Sequence, residues 1–288
     1  MEMQAYKLAL LGLRETRWIQ AGWVKLVNGE MIISSGHGED IAPHMKGVAF
    51  MLSKEATKSL IEWEPVSSRT IKTRFHNKVQ RVTVIQCYTT ANDAQEDCKN
   101  GFYERLQAEI DKQAKRDVAL LMGDFNAKIG SDNTGQEQSM GKHGLVEMNE
   151  NGEVFSDFRA FNNMIIGRSV YPHKRVYKIT WGSPNHATKH QIDHICISHR
   201  FRRSLLDVRL GGGANAASNH HLITGEFQFK LKVQQRGNEN KSLTQCRAAA
   251  GPRYQNKVPN QHLKLINNSS RLDKGSQESD SVCTSDLN

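Results

Sequence analysis

Asp124 and Asn126 stand two residues apart at the carboxyl end of an apolar run, in "LLMGDFNAKIG" (residues 120–130). On a strand, positions two apart face the same side, so a carboxylate and an amide can meet one substrate. The carboxylate would take or orient a proton while the amide holds a water or a substrate oxygen, which suits a water-activating site. The plainer reading is an Asp and an Asn opening a turn, and spacing alone leaves both open. Glu15 follows a second strand-like run in "LLGLRETRW" (residues 10–18). Magnesium takes one or two carboxylates and completes its shell with waters and phosphate oxygens. Glu15 could supply one of them, or it could be a surface glutamate beside Arg14 and Arg17.

Asp193 interrupts the apolar "QIDHI" (residues 191–195), where an isolated buried charge would be costly. A histidine is a natural partner, because a carboxylate that accepts from one ring nitrogen fixes the tautomer and leaves the other for substrate. His220 and His221, in "AASNHHLITGEF" (residues 216–227), point to opposite sides of a strand, so only one is expected to share a site with Asp193. His186, His190, His194 and His199 recur at spacings of four, four and five, which on a helix would suggest zinc. Pro184 before them and the β-rich "ICI" among them favour strand geometry instead. "GGGANAAS" (residues 211–218) lacks the strand, helix and lysine of a phosphate loop and reads as a flexible turn.

Positioning these groups requires short strands, and the sequence supplies them. Runs at residues 8–13, 47–52, 82–88, 117–125, 191–197 and 221–231 are β-rich and bounded by turn signals. Residues 93–115 carry Phe102, Leu106 and Ile110 at fourfold spacing, and residues 149–161 carry Val154, Phe155, Phe158 and Phe161 along one face, so both read as helices. Strands dominate without regular βαβ alternation, which predicts an α/β protein built as a two-layer β-sandwich flanked by helices, largely antiparallel. The 288 residues suffice for a sizeable core. No apolar run reaches the roughly 18 residues of a membrane span, and residues 1–30 lack a signal-like pattern, so an intracellular location, the nucleus included, and no membrane partner are expected. Five cysteines, an odd set without CxxC spacing, indicate neither a disulfide framework nor a zinc ribbon. A net charge of +9 is compatible with a polyanionic partner. From residue 232 the chain turns polar and aperiodic, so the expected division is a folded domain over 1–231 and a disordered tail over 232–288.

Taken in order, these stretches resemble the endonuclease/exonuclease/phosphatase family of AP endonucleases, pancreatic deoxyribonuclease and non-LTR retrotransposon endonucleases. The resemblance is to its retroelement-derived, craniofacial development protein 2-like branch. It rests on "LLGLRETRW", "VIQCYTTANDA", "VALLMGDFNAKIGSDNTG", "GKHGLVEMNENGEVF", "YPHKRVYKITWGSPN", "QIDHICI" and "SNHHLITGEF" within residues 1–231. It implies that Glu15 binds a divalent metal, Mg²⁺ with Mn²⁺ as substitute, and that Tyr88 hydrogen-bonds the phosphate. Asp124 would activate or orient the attacking water and Asn126 would position it, while His220, held by Asp193, would bind the scissile phosphate. Two departures are visible. The family's first strand, with an active-site asparagine, has no counterpart before "LALLGL", so the domain is expected to be N-terminally truncated. Asn219 stands where the family has a metal-linked aspartate in Ser-Asp-His. The resemblance therefore implies a Mg²⁺-dependent DNA endonuclease, weakened by these departures. The alternative is a decayed or co-opted remnant that binds nucleic acid without catalysis. Phosphatase action on a phosphoinositide or small phosphorylated molecule fits the motifs less well.

Overall fold

The computed structural model describes residues 2–36, 47–76, 80–130, 148–183, 185, 187–210 and 219–229, together with the backbone of 262–269. In chain order the strands are β1 (Leu10–Arg14), β2 (Gly22–Lys25), β3 (Met31–Ser35), β4 (Val48–Leu52), β5 (Leu60–Ser67), β6 (Thr70–His76), β7 (Arg81–Tyr88), β8 (Val118–Asp124), β9 (Met164–Ile166), β10 (Trp181–Gly182), β11 (Lys189–His190), β12 (Asp193–Ser198), β13 (Leu205–Leu210), β14 (Ile223–Gln228) and β15 (His262–Ser269). The helices are α1 (Glu2–Ala5), α2 (Lys54–Ser59), α3 (Glu96–Asp111), α4 (Glu150–Phe161) and α5 (Gly167–Val170), with 3₁₀ turns at Arg175–Lys178 and His199–Ser204.

Two sheets face each other. One runs β13-β14-β15-β1-β4-β3-β2, the other β5-β6-β7-β8-β12-β9, and β10 and β11 form a separate ribbon. Strand alternation explains the layers. Val84 of β7, Leu120 and Met122 of β8, and Ile195 and Ile197 of β12 point between the sheets and meet Leu10, Ile33, Phe50, Leu52, Ile223 and Phe227. The intervening residues Ile85, Cys87, Leu121 and Cys196 point outward beneath Phe102 and Leu106 of α3 and Phe155 and Phe158 of α4. Full burial of such a side chain contributes about 1.5–3 kcal/mol, so the sandwich is held from within and the helices seal one outer face.

The pairing is largely antiparallel, with β7–β8 parallel as the crossover through α3 requires. The helices at 93–115 and 149–161 are present with trimmed ends as α3 and α4, and Asn149 caps α4 by accepting from the Gly152 N–H. Two expectations need correction. Part of the segment expected to be a disordered tail is a strand: β15 pairs in parallel with β1 and antiparallel with β14. The place beside β1 is therefore filled by backbone from 262–269, so the sheet has no gap between β1 and β14. The segment from His221 does not begin as strand; β14 starts at Ile223 because the His221 N–H is taken by the Thr180 carbonyl at 2.7 Å. The glycine-rich turn at 211–218 lies outside the described residues.

Candidate functional site

Three strand ends lie side by side. Tyr88 closes β7 opposite Asp124 in the parallel register, and Asp124 closes β8 opposite Asp193, which opens β12. Gly123 allows the approach: its φ is +149°, and a Cβ there would lie 1.9 Å from the Cys87 carbonyl oxygen. Asp124 and Asp193 share the inward phase of their strands and are both buried. Asn126 turns the chain in a left-handed conformation, φ 48°, which asparagine tolerates better than most residues. Its backbone N–H donates to Asp124 Oδ1 at 2.9 Å and its carbonyl accepts from Asn149 Nδ2 at 3.0 Å. The helix cap and the site loop thus share one side chain.

His220 comes in from the chain before β14 and bridges to Trp181 of β10. Its Nδ1 lies 3.0 Å from Asp193 Oδ2. A carboxylate can only accept, so Nδ1 carries the hydrogen and Nε2 is the acceptor nitrogen of the neutral ring. Burial pushes the His220 pKa below the usual imidazole range, and the pull of Asp193 the other way does not restore it; Arg14 adds to the lowering. The ring is accordingly neutral near pH 7. Burial alone would raise the Asp193 carboxyl, but Arg14 and His220 outweigh it and hold this group below the ordinary carboxylate range. Thr180 Oγ1 accepts from the Ile192 and Asp193 N–H groups at 2.9 and 3.2 Å, which anchors the start of β12.

Glu15 follows β1 in a left-handed conformation, φ 52°, half-buried at the rim. It is hydrogen-bonded to Tyr88, whose pKa burial and the Glu15 charge both raise. Asn219 is exposed beside His220, and its backbone carbonyl accepts from the Gly182 N–H at 2.9 Å. The structure thus brings Asp124, Asp193 and His220 together, with Tyr88 beside Asp124 and Glu15 against Tyr88. Asn126 lies beyond the end of β8, so strand alternation does not align it with Asp124; it meets Asp124 through its backbone N–H, while its side-chain Nδ2 faces the Thr89 carbonyl at 3.5 Å. The remaining histidines do not converge. His194 lies in the helix layer, His190 stacks on Trp181 at 5.5 Å, and His199 belongs to the 3₁₀ turn at the far end of β12, while His186 is outside the described residues.

Arg14 is the principal site residue that sequence reasoning missed. Fully buried, it forms an ion pair through Nη1 with Asp124 Oδ2 and stands 3.8 Å from Asp193 Oδ1. Its guanidinium lies 5.8 Å from the centre of the Tyr88 ring. The available signal was phase: Arg14 falls on the same face of β1 as Leu10 and Gly12, and a charge at an inward position needs a partner.

Asp124, Asp193 and His220 bring ligand atoms within 4.8 Å of one another, so among the described residues they form a group that could hold a metal ion. The donor set fits such an ion unevenly. The two carboxylates of this group already face Arg14 and His220, whereas Glu15 offers a carboxylate at the rim, the number that magnesium needs when phosphate and water complete its shell. No helix among the described residues is long and apolar enough to cross a membrane.

No family profile matches the chain. It is 31% identical over 234 residues to craniofacial development protein 2 of Bos taurus, an alignment that covers 81% of this chain and 38% of that protein. The chain thus spans well under half the length of this curated relative. Among solved structures it is similar to a 3′ phosphatase from Neisseria bound to product DNA hairpin, with a TM-score of 0.55, 20% identity, and coverage of 76% of this chain and 88% of the other. It is also similar to the endonuclease domain of a telomere-specific non-LTR retrotransposon, with a TM-score of 0.52, 15% identity, and coverage of 76% and 85%. At these identities the two structures establish the sandwich architecture.

Proposed function

Because the chain belongs to the endonuclease/exonuclease/phosphatase family, in the craniofacial development protein 2 branch, we propose that it is a metal-assisted phosphodiesterase that cuts a DNA backbone. The observation that carries this reading is the Asp193–His220 pair, at 3.0 Å, set beside Asp124 where three strand ends meet. Hydrolysis of a phosphodiester needs a positioned water on one side of phosphorus and charge stabilisation around it. Asp124, steadied by the Asn126 N–H, orients the water together with the Asn126 amide. The neutral ring of His220 accepts the water proton as the new P–O bond forms and the bond to the ribose oxygen breaks; that oxygen leaves by taking a proton from solvent water, and Asp193 stabilises the imidazolium until it returns its proton to solvent. The Tyr88 hydroxyl, whose one hydrogen goes to Glu15 in the free protein, turns to donate to a phosphate oxygen when substrate binds. Glu15 would hold Mg²⁺ or Mn²⁺, which when bound supplies charge neutralisation. Descent from a retroelement agrees with the likeness to a retrotransposon endonuclease domain, and the net charge of +9 suits a DNA partner.

A supercoiled-plasmid nicking assay with Mg²⁺ or Mn²⁺ tests the reading. His220→Ala and Asp193→Asn are each expected to slow nicking by about 10²- to 10⁴-fold, the usual contribution of a positioned base. Wild-type protein that nicks no faster than either variant removes the enzyme reading. The second reading, a nucleic-acid-binding protein without turnover, is favoured by two observations: Arg14 is paired with Asp124, and Asn219 offers no charge beside His220. It predicts DNA binding that survives in both variants alongside absent cleavage in all three proteins.

A further inference from the structure

The group of Asp124, Asp193 and His220 has the spacing of a metal site, yet a positive charge already stands in it. Arg14 reaches it from β1, in the opposite sheet, with no exposed surface. Its Nη1 is paired with Asp124 Oδ2 and lies 3.8 Å from Asp193 Oδ1. Two buried carboxylates with oxygens within 4.8 Å of each other stay ionised together only beside a cation, and here the guanidinium is that cation. Beside it the sheets approach closely: at Gly12, the preceding inward position of β1, a Cβ would meet Gln86 Oε1 at 2.3 Å and Met122 Cε at 2.9 Å.

The pairing leaves part of the guanidinium unused. Nε and Nη2 of Arg14 are buried with no hydrogen-bond partner among the described residues, a costly arrangement for charged donors in a dry interior. We propose that Arg14 is the resident cation of the Asp124–Asp193–His220 group, standing where a divalent ion would otherwise bind, so that any divalent metal is left to Glu15 at the rim. This rests on the phosphodiester reading, and its test uses binding rather than turnover, so a protein that never cuts DNA can still pass.

The metal-stripped 288-residue chain is titrated with Mn²⁺ by electron paramagnetic resonance. Wild type is expected to bind no more than one Mn²⁺, which Glu15→Gln abolishes. Arg14→Gln is expected to gain a Mn²⁺ site at least about tenfold tighter than any in Glu15→Gln, the scale on which ligand surroundings alter metal affinity. Arg14→Lys keeps the charge and is expected to exclude Mn²⁺ from the group. A Mn²⁺ site that persists in Glu15→Gln overturns the proposal, as does an Arg14→Gln protein that keeps its melting midpoint and gains no site. The first of these outcomes is read from a protein that retains Arg14, so it does not depend on how the Arg14 variants fold.

Discussion

On β12 the strand alternation sends Asp193 into the site and His194 into the helix layer, where the His194 ring stacks on Phe155 at 5.3 Å and Nε2 donates to the Ala127 carbonyl at 2.8 Å. Burial pushes the His194 pKa down to about 4, against an ordinary value near 6.5. The folded state therefore binds fewer protons than the unfolded chain between those values. Stability is fully present above about pH 6.5 and falls as the pH drops towards 4, by about 3 kcal/mol over the whole interval. Urea unfolding from pH 8 to pH 4 should show that decline, and His194→Gln, which can still donate to Ala127, should flatten it. An equal decline in the variant would assign the acid sensitivity to other groups. Asp124, Asn126 and Asp193 stood out in the sequence as polar side chains within or just after apolar runs, whereas the choice of His220 over His221 came only from the family resemblance. Arg14 did not stand out, because its partners lie 110 and 179 positions further along the chain, and beside Arg17 it reads as surface charge.

At the scale of elements, α4 and the site loop are joined through Asn149. Its Oδ1 accepts from the Gly152 and Lys128 N–H groups at 2.9 and 2.7 Å, while its Nδ2 donates to the Asn126 carbonyl at 3.0 Å. Asn149→Ala removes a helix cap, worth about 1 kcal/mol, together with the brace on Asn126. The expected result is a modest fall in the melting midpoint with a disproportionate loss of nicking, at least about tenfold, while Asn149→Asp should retain the cap and much of the stability. A loss of activity no greater than the stability change accounts for would show that the brace is structural only. The close β7–β8 approach gives a harsher test. Gly123→Ala requires a left-handed residue and a Cβ 1.9 Å from the Cys87 oxygen, so destabilisation of about 3 kcal/mol or more is expected by chemical denaturation. Helices α3 and α4 were legible because their apolar periodicity is local, as was Asn149 at the start of the second. The ribbon of β10 and β11 was not, since two-residue strands carry no period, although it sets Trp181 against His220.

Across the whole molecule, the seven-stranded sheet depends on a segment far from the rest of it in sequence. β15 fills the middle of the sheet, in register with β1 from Leu10↔Leu265 to Arg14↔Ser269 and with β14 from Ile223↔Asn267 to Gln228↔His262. Composition could not reveal this, because "HLKLINNS" is a short run within a polar tail and its stabilising partners are supplied by two distant strands. Intrinsic strand preference is weak until such partners are present. With β15 absent, β1 and β14 would each expose an unpaired edge in the middle of the sandwich. A net contribution of roughly 0.5–1.5 kcal/mol per ladder hydrogen bond makes that loss comparable with the stability of an ordinary domain, about 5–15 kcal/mol. Leu265→Pro in the full chain removes one donor from the centre of β15 and places a ring where a ladder requires a flat strand. It should cost about 3 kcal/mol or more, a fall in the melting midpoint on the order of 10 °C at this size, accompanied by loss of nicking because Arg14 and Glu15 lie at the end of β1. Leu265→Val, which keeps the backbone donor and the strand preference, is the matched control and should leave both readings near wild type. A Leu265→Pro protein as stable as the control would show that the sandwich closes without this strand.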